Sequence, residues 1–196
     1  GESRQNYCCQ RTDRDFIDFF NADPAKIDVV YQGCNAIFRE EISGKQKALI
    51  RNKYNLPSSF LLYVGAIEKR KNLETIIRAL YVGNIDMPLV VVGNKTHYLE
   101  EMIQLIGKLK MRQKFYFLHN LHTVDLPGLY ASASIFIYPS VFEGFGIPIL
   151  EALCSGSPVI TSRGSCFEET GGDAARYVGY ADPEEMALTI GEILTD

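Results

Sequence analysis

The sequence has 196 residues, of which 46% are hydrophobic and 22% are charged, with 11 Tyr and 11 Phe. This is an ordinary globular composition with ample apolar surface for a core, and it excludes a disordered chain. The 20 Lys and Arg against 24 Asp and Glu give a net charge of −4, which argues against a broad cationic face for nucleic acid.

The N-terminal part of the chain follows a pattern of its own. A charged helical segment is predicted at 13–20, a strand at 27–31 and an amphipathic helix at 44–54. No internal repeat or low-complexity segment interrupts the sequence. We therefore predict a lead-in at 1–28 and one domain at 29–196.

From about residue 60 onward, short apolar runs rich in Val, Ile, Phe and Tyr alternate with segments of helical period. The predicted strands are 60–64, 89–92, 115–118, 134–138, 158–161 and a short sixth at 176–178. The first five are apolar on both faces, as in a parallel sheet covered by helices. This pattern predicts an α/β fold built from repeated β-α units.

Capping residues, prolines and glycines mark five helices between these strands and after them. They are a helix capped by Asn72 that runs to Leu80 with Gly83 beyond it, one at 98–109, one from Asp125, one with Pro148 in its first turn and Gly156 beyond its last, and one from Asp182. In the last helix, Asp182 and Glu185 have the spacing of a capping box.

Five cysteines are present without C-x-x-C spacing: Cys8, Cys9, Cys34, Cys154 and Cys166. This set argues against a zinc site and a secreted disulfide framework, so we expect packing roles and a reducing, cytoplasmic compartment.

No apolar run is long enough for a transmembrane helix. Gly1 in place of Met, and the missing stop signal near Asp196, predict a piece of a longer protein that is truncated in its C-terminal helix.

The stretch YPSVFEGFGIPILEALCSG, residues 138–156, carries the clearest chemistry. A predicted strand ends at Tyr138, a loop with Gly144 and Gly146 follows, and a helix opens near Pro148. The N–H groups of the loop and the positive end of the helix dipole converge at the carboxyl end of the sheet. The arrangement predicts a phosphate-binding site, although it matches neither the P-loop nor the G-x-G-x-x-G motif.

Two acids, Glu143 and Glu151, flank the phosphate-binding part of this stretch. Neither position requires an acid, and carboxylates are good acceptors for the paired hydroxyls of a sugar or a ribose. The alternative is that Glu143 is a solvated loop residue and that Glu151 complements the helix dipole.

A second candidate is the segment YVGAIEKRKNL, residues 63–73, in which a strand ends at Gly65 and three cations precede a helix. Cations at this edge of the sheet can neutralise a diphosphate, Arg70 through its planar guanidinium and Lys71 as a point charge. The alternative is a basic turn exposed to solvent.

Together these stretches resemble the C-terminal, donor-binding half of a retaining glycosyltransferase with the GT-B architecture, in the large group called family 4. The likeness rests on ordered motifs along nearly the whole chain: IDVVYQGCN, YVGAIEKRKN, FLHNLHTVDLPGLYASA, the E-x7-E signature EGFGIPILE, and SPVITSRGSCFEETGGDAARYV. It implies a Rossmann-like doubly wound parallel sheet, the C-terminal half of a GT-B fold. Residues 1–28 would be the remnant of an N-terminal domain or interdomain connection, and the missing N-terminal domain would supply the acceptor site.

The resemblance also implies a role for each matched residue. Glu143 would bind the hydroxyls of the donor sugar, Glu151 those of the ribose, and Lys71 the diphosphate. The residues that would line the donor site through backbone groups are Gly65, Gly144, Phe145, Gly146 and Ile147.

Three further implications concern neighbouring positions. Many members carry a phosphate arginine where this sequence has Ala66, and Arg70 would compensate for it. Glu169, in the loop after the strand at 158–161, matches an acid with a structural or capping role. The histidines lack ligand spacing and are predicted to be structural, with a nucleotide-base contact of His119 as an alternative: His97, His119 and His122. The family is expected to work without a metal ion or other cofactor.

The activity that the resemblance implies is transfer of a hexosyl group, by analogy mannosyl, from a GDP- or UDP-linked sugar to a saccharide or lipid-linked acceptor. Glu143, Lys71 and Arg70 are the residues expected to act in the transfer, and this chain alone would bind donor without transferring it. The intact enzyme would contact the membrane peripherally where its acceptor is lipid-linked. The alternatives are a GT-B-type sugar-nucleotide epimerase and a non-catalytic nucleotide-binding scaffold. A phosphorylase is disfavoured because we find no pyridoxal lysine site.

Overall fold

The computed structural model describes residues 5–7, 9, 14, 17–19 and 21–195. Of the helix predicted at 13–20, residues 14 and 17–19 are helical, and the rest of that prediction lies outside the described residues, as do Cys8 and Asp196. No helix in the described ranges is both long and apolar enough to cross a membrane.

The described residues form one small and one large parallel sheet. In the small sheet, β1 (Gln5–Tyr7) pairs with β2 (Ile27–Val29). The strands of the large sheet are β3 (Leu61–Val64), β4 (Leu89–Val92), β5 (Phe115–Leu118), β6 (Ile135–Tyr138), β7 (Val159–Ser162) and β8 (Ala175–Val178). Each strand predicted from residue 60 onward is present. The strand predicted at 27–31 ends at Val29 and does not join the large sheet. Its partner, β1, was not predicted, because the apolar pattern of the sequence does not indicate a strand there.

Helices follow the strands in the expected alternation. They are α1 (Gly44–Lys53), α2 (Leu73–Val82), α3 (His97–Lys108), α4 (Leu126–Ser132), α5 (Ile147–Cys154), α6 (Phe167–Gly171) and α7 (Pro183–Thr195). The five helices predicted after residue 60 are confirmed, with small differences at their ends, and α6 is additional.

Glu169 lies in α6, so its predicted placement in a loop is wrong. A turn at Gly164, with φ of +88°, lets the chain start this short helix directly after β7. The carboxylate of Glu168 accepts the Gly164 N–H at 2.7 Å. The acid that closes this turn is therefore Glu168, the neighbour of the predicted residue.

The capping box predicted at α7 is half right. The Asp182 side chain accepts the Glu185 N–H at 2.8 Å, as predicted, but the Glu185 carboxylate accepts the Gly179 N–H at 2.6 Å instead of the N–H of Asp182. A complete capping box closes α1, where Ser43 and Gln46 each accept the other's backbone N–H. The S-x-x-Q spacing of Ser43 and Gln46 is the sequence feature from which this capping box could have been predicted.

The predicted cap Asn72 and Asp125, where a helix is predicted to start, each join separate elements through their side chains. Asn72 precedes α2, and its amide donates to the carbonyl oxygens of Pro139 at 3.0 Å and Tyr180 at 2.6 Å. Asp125 precedes α4, and its carboxylate lies 2.6 Å from Lys53 Nζ. Asn72 therefore ties the loops after β6 and β8 to α2, and Asp125 ties α4 to α1.

The strands of the large sheet lie in the order β5-β4-β3-β6-β7-β8, and every neighbouring pair is parallel. One core cluster includes α2, α3 and α7, and the other includes α4, α5 and α6 on the opposite face. This is the doubly wound Rossmann-like sheet that was predicted. Its two central strands, β3 and β6, lead to opposite halves of the sheet, so their carboxyl ends border the crevice in which such sheets bind ligands.

Gly93 follows β4 and packs against the turn after β3. A methyl group on it would lie 2.2 Å from the carbonyl oxygen of Gly65. We expect Gly93→Ala to destabilise the fold by about 2–3 kcal/mol, because backbone must shift on both sides. Gly191→Ala, in α7 with no neighbouring group within 4 Å, should stabilise it by roughly 0.5–1 kcal/mol. Urea denaturation compares the two variants, and equal stabilities would contradict this account.

Candidate functional site

Two loops meet at the carboxyl ends of β3 and β6. After β3 the chain forms a short 3-10 helix, Lys69–Lys71, which we call the basic turn. After β6 it enters the glycine loop, residues 139–146, which leads into α5. The Arg70 carbonyl oxygen accepts the Val141 N–H at 2.9 Å and the Ser140 hydroxyl at 3.2 Å. These bonds hold the basic turn against the glycine loop.

The Glu143 side chain joins the two loops a second time. Its Oε1 atom lies 2.7 Å from Lys71 Nζ, 2.8 Å from a guanidinium nitrogen of Arg70 and 2.5 Å from the Ser140 hydroxyl. Lys71 Nζ also donates to the Tyr138 hydroxyl at 2.8 Å. Only 12% of the Glu143 side chain and 13% of the Lys71 side chain are exposed, so solvent screens this ion pair weakly.

The contacts of Glu143 hold its pKa below the usual value. Burial by itself would raise the pKa, but the hydrogen bonds from Lys71 and Ser140 and the charges of Lys71 and Arg70 outweigh it. Glu143 is therefore an ionised carboxylate at neutral pH. Glu68 also pairs with Arg70 at 2.8 Å, so two cations and two acids balance in this cluster, and Lys71 is the cation of the group that lines the adjacent cleft.

This cluster borders a cleft of about 300 Å³. The cleft is lined by Gln32, Lys71, Tyr138, Glu143, Gly144, Phe145, Gly146, Ile147 and Pro148. Gly146 precedes α5 with φ of +90°, a left-handed conformation that explains a glycine there. In the first turn of α5, Pro148 has no N–H, and the Ile149 N–H donates to the Gly146 carbonyl oxygen at 2.9 Å. This turn lies at the cleft. The positive end of the helix dipole therefore adds to the charge of Lys71.

Carbonyl groups of the glycine loop are bonded into the protein interior. The Cys9 thiol donates to the Gly144 oxygen at 3.0 Å, and the Thr170 hydroxyl donates to the Phe145 oxygen. Because the N–H and C=O of a trans peptide point in opposite directions, the N–H groups of Phe145 and Gly146 are turned away from these interior contacts.

Several residues that the sequence singles out come together here. Lys71, Glu143 and residues 144–147 all line the cleft. Gly65 lies beside them without lining it in the described structure. Its N–H continues the pairing of β3 with β4 by donating to the Val92 oxygen at 2.9 Å, and a side chain on it would approach the Lys71 stem.

Arg70 lies at the edge of the cluster. Its guanidinium contacts Glu143 and Glu68, each at 2.8 Å, and donates to the carbonyl oxygen of Phe142 at 2.8 Å. Nearly half of its side chain is exposed, and it is not part of the cleft wall formed by the described residues. The structure thus places Arg70 where it positions Glu143 and contributes charge from outside the cleft.

Glu151 lies in α5, four residues after Ile147 and therefore on the same side of the helix. Its carboxylate accepts the Tyr130 hydroxyl at 3.0 Å, and no cation of the described residues pairs with it. Burial raises the pKa of Glu151, and the bond from Tyr130 offsets only part of this effect. Glu151 is therefore a half-buried acid for which the described residues provide no charge partner, and it lies one helical turn beyond the residues that line the cleft.

Replacing Glu151 with glutamine is expected to stabilise the fold at neutral pH. An acid whose pKa is raised by folding weakens the folded state above its usual pKa, because burial disfavours the ionised form. Glutamine keeps an acceptor for the Tyr130 hydroxyl and removes the charge. The melting temperature should rise by roughly 1–3 °C at pH 7 and match the wild type below the usual carboxyl range. An unchanged melting temperature at pH 7 would contradict this.

Gln32 and Tyr138 line the cleft although the sequence analysis assigned neither of them to the site. Tyr138 belongs to a fully buried strand, so the apolar pattern of this strand predicts a core position. The sequence feature that could have indicated a site residue is the position of Tyr138 at the carboxyl end of a central strand. Gln32 lies in the irregular segment after β2, where no period or motif distinguishes it.

The histidines lie apart from this cluster. His97 lies 3.7 Å from Glu100 on the surface, and a ring nitrogen of His119 lies 2.6 Å from the carbonyl oxygen of Gly93. Among the described residues, no group of three or more His, Cys, Asp or Glu side chains is placed to hold a metal ion.

The model of the family described as glycosyl transferases group 1 matches residues 46–196. The chain belongs to this family. This group 1 glycosyltransferase chain is 32% identical over 174 residues to the O-antigen chain mannosyltransferase RfbU of Salmonella typhimurium. The matched region covers 89% of this chain and 46% of that protein. It is also 33% identical over 150 residues to O-antigen chain mannosyltransferase B of Escherichia coli, in a match that covers 74% of this chain and 39% of that protein.

A solved structure of Anabaena HepE in complex with UDP and glucose has the same fold. It matches with a TM-score of 0.90 and 22% identity, over 99% of this chain and 54% of that one. The likeness confirms the Rossmann-like α/β domain of the GT-B type. The chain spans less than half the length of the two curated relatives and about half of the HepE chain.

Proposed function

We propose that this chain is the donor-binding half of a retaining family 4 glycosyltransferase. The intact enzyme would transfer a hexosyl group, on the likeness to the O-antigen enzymes a mannosyl group, from a nucleotide-diphosphate sugar to a saccharide or lipid-linked acceptor. The observation that carries the proposal is the cluster of Lys71, Arg70 and Glu143 at the glycine loop, in the crevice of a Rossmann-like sheet. It combines positive charge, a helix end and a carboxylate at one cleft.

The leaving group sets the main chemical task. As the bond between the sugar and the diphosphate breaks, negative charge grows on the diphosphate, and groups already aimed at that charge lower the barrier. Lys71 Nζ, the first turn of α5 and the N–H groups of Phe145 and Gly146 would supply such groups. The scheme assigns charge neutralisation to these protein groups rather than to a metal ion or other cofactor.

The two acids would hold the hydroxyl-bearing parts of the donor. The described contacts of Glu143 all use Oε1, which leaves Oε2 as an acceptor for sugar hydroxyls. Glu151, a desolvated carboxylate with one hydroxyl donor, would gain two charge-assisted hydrogen bonds from a ribose diol. Both acids orient the donor here, in contrast to the acid and nucleophile of glycoside hydrolases.

The rest of the intact enzyme would supply the acceptor site. We expect a second domain to face the cleft and bring the acceptor to the sugar, because the curated relatives are more than twice as long as the matched region. This chain alone would then bind donor and transfer nothing. A cytoplasmic enzyme with peripheral membrane contact fits a lipid-linked acceptor.

Calorimetric titration of the chain with GDP, UDP and ADP tests the proposal. We expect one nucleotide to bind at a single site, and Glu151→Ala to weaken it about tenfold through loss of the ribose contacts. Glu192→Ala, an exposed position in α7, is the matched control and should bind as the wild type does. Absence of heat with all three nucleotides would contradict donor binding and favour a non-catalytic scaffold domain that has kept only the fold.

Incubation of the intact enzyme with a nucleotide sugar separates a transferase from an epimerase. A transferase forms its glycosidic product only when acceptor is added. An altered sugar nucleotide that forms without any acceptor would favour the epimerase.

A further inference from the structure

The segment after β2 forms one side of the cleft. The Tyr31 ring lies 6.3 Å from the Phe145 ring, at the glycine loop. Further along, the carbonyl oxygen of Phe38 accepts the Ser155 hydroxyl at 3.4 Å, just beyond the end of α5. The segment 31–38 therefore runs along α5 from its beginning to its end. Between these two anchors, Gln32 lies in the wall of the cleft.

Gln32 is exposed, and the described residues provide no hydrogen-bond partner for its side chain. Its amide contributes nothing visible to the fold, in contrast to Lys71 and Tyr138, which bond each other in the same cleft. Replacing Gln32 with alanine should therefore leave the stability of the fold unchanged. This separates a binding role from a structural one.

The chemistry of the amide suits one part of the donor better than the others. Glutamine has two N–H donors and a carbonyl acceptor and carries no charge. A sugar hydroxyl both donates and accepts, so an amide can satisfy it in either direction, whereas a diphosphate only accepts. The cleft already contains a cation, Lys71, and a carboxylate, Glu143.

We propose that Gln32 is a further donor-binding residue, which hydrogen-bonds hydroxyl groups of the donor sugar from the side of the segment 31–38. The proposal rests on the donor-binding function above. It makes the segment 31–38 a direct part of the donor site. The donor sugar would then be held between Glu143 of the glycine loop and Gln32 of this segment.

Calorimetric titration of the wild-type chain and of Gln32→Ala, with GDP, GDP-mannose, UDP and UDP-glucose, tests this. We expect Gln32→Ala to weaken binding of the preferred nucleotide sugar about five- to tenfold and binding of its free nucleotide less than twofold. Gln113→Ala, in an exposed 3-10 turn, is the matched control and should bind both like the wild type. Thermal unfolding of each variant should coincide with that of the wild type.

Equal binding of the nucleotide sugar by Gln32→Ala and the wild type would overturn the role of Gln32 and leave the donor-binding function intact. An equal loss for nucleotide and nucleotide sugar would overturn it as well, because the contact would then be to the nucleotide part. A wild type that binds none of the four ligands would overturn the donor-binding function itself, and the role of Gln32 with it.

Discussion

Replacing Lys71 with methionine is expected to weaken binding of a nucleoside diphosphate by about 30- to 100-fold. Lys71 is the cation of the cleft wall, and 13% of its side chain is exposed, so its charge acts on a bound diphosphate with little screening by water. Methionine keeps the length of the stem that packs near Gly65. Calorimetry with the nucleotide that binds the wild type measures the change.

Lys69→Met is the control for the loss of charge. Lys69 belongs to the same basic turn, is exposed and has no acidic partner among the described residues. We expect its removal to change the affinity less than twofold at physiological salt, because exposed charges are screened. Similar losses in the two variants would mean that the basic turn acts through its overall field, and Lys71 would then have no specific place in the site.

The fold is predictable from the sequence because its central strands are buried on both faces. Runs such as LVVV at Leu89–Val92 and IFIY at Ile135–Tyr138 cannot be confused with the amphipathic helices between them. The missed elements are those without such a pattern. β1 has three residues and pairs with a distant segment, and α6 has five residues, which is too short to show a helical period.

The site is predictable only where it is contiguous in sequence. The glycine loop and the start of α5 form one stretch, so strand end, glycines and acid are visible together. The bond between Arg70 and Glu143 joins residues 73 positions apart, and only the strand order brings them to one crevice. The sequence therefore suggests two separate donor-binding features, whereas the structure shows that the acid and the cations neutralise each other. Gln32 carries no local signal at all.

Glu143→Gln is expected to bind a free nucleoside diphosphate more tightly than the wild type does. The carboxylate neutralises part of the charge of Lys71 and Arg70 through contacts of 2.7 and 2.8 Å. Without it, the Lys71 charge at the cleft is no longer offset by a neighbouring anion, and the affinity for the free nucleotide should rise about three- to tenfold at low ionic strength. The affinity for the nucleotide sugar should gain less, because the variant lacks the charge that strengthens hydrogen bonds from sugar hydroxyls. The preference for nucleotide sugar over nucleotide should thus fall, by less than about tenfold.

Glu68→Gln is the matched control for this prediction. Glu68 also pairs with Arg70 at 2.8 Å, but 45% of its side chain is exposed, so its removal should change either affinity less than twofold. The gain in nucleotide affinity of Glu143→Gln should diminish as salt is raised. A variant that loses nucleotide and nucleotide sugar equally would show that Glu143 serves to hold Lys71 in place.

The two acids of the signature should also respond to pH with opposite signs. Because folding lowers the pKa of Glu143, its ionised form stabilises the fold above the usual carboxyl pKa, and this contribution disappears as the pH falls through the lowered value. Folding raises the pKa of Glu151, so its ionised form weakens the fold at neutral pH. At pH 7, Glu143→Gln should therefore unfold at lower urea concentration than the wild type, and Glu151→Gln at higher. A loss of stability in both variants would mean that Glu151 has a charge partner in solution, and the ribose diol would then have no desolvated carboxylate to bind.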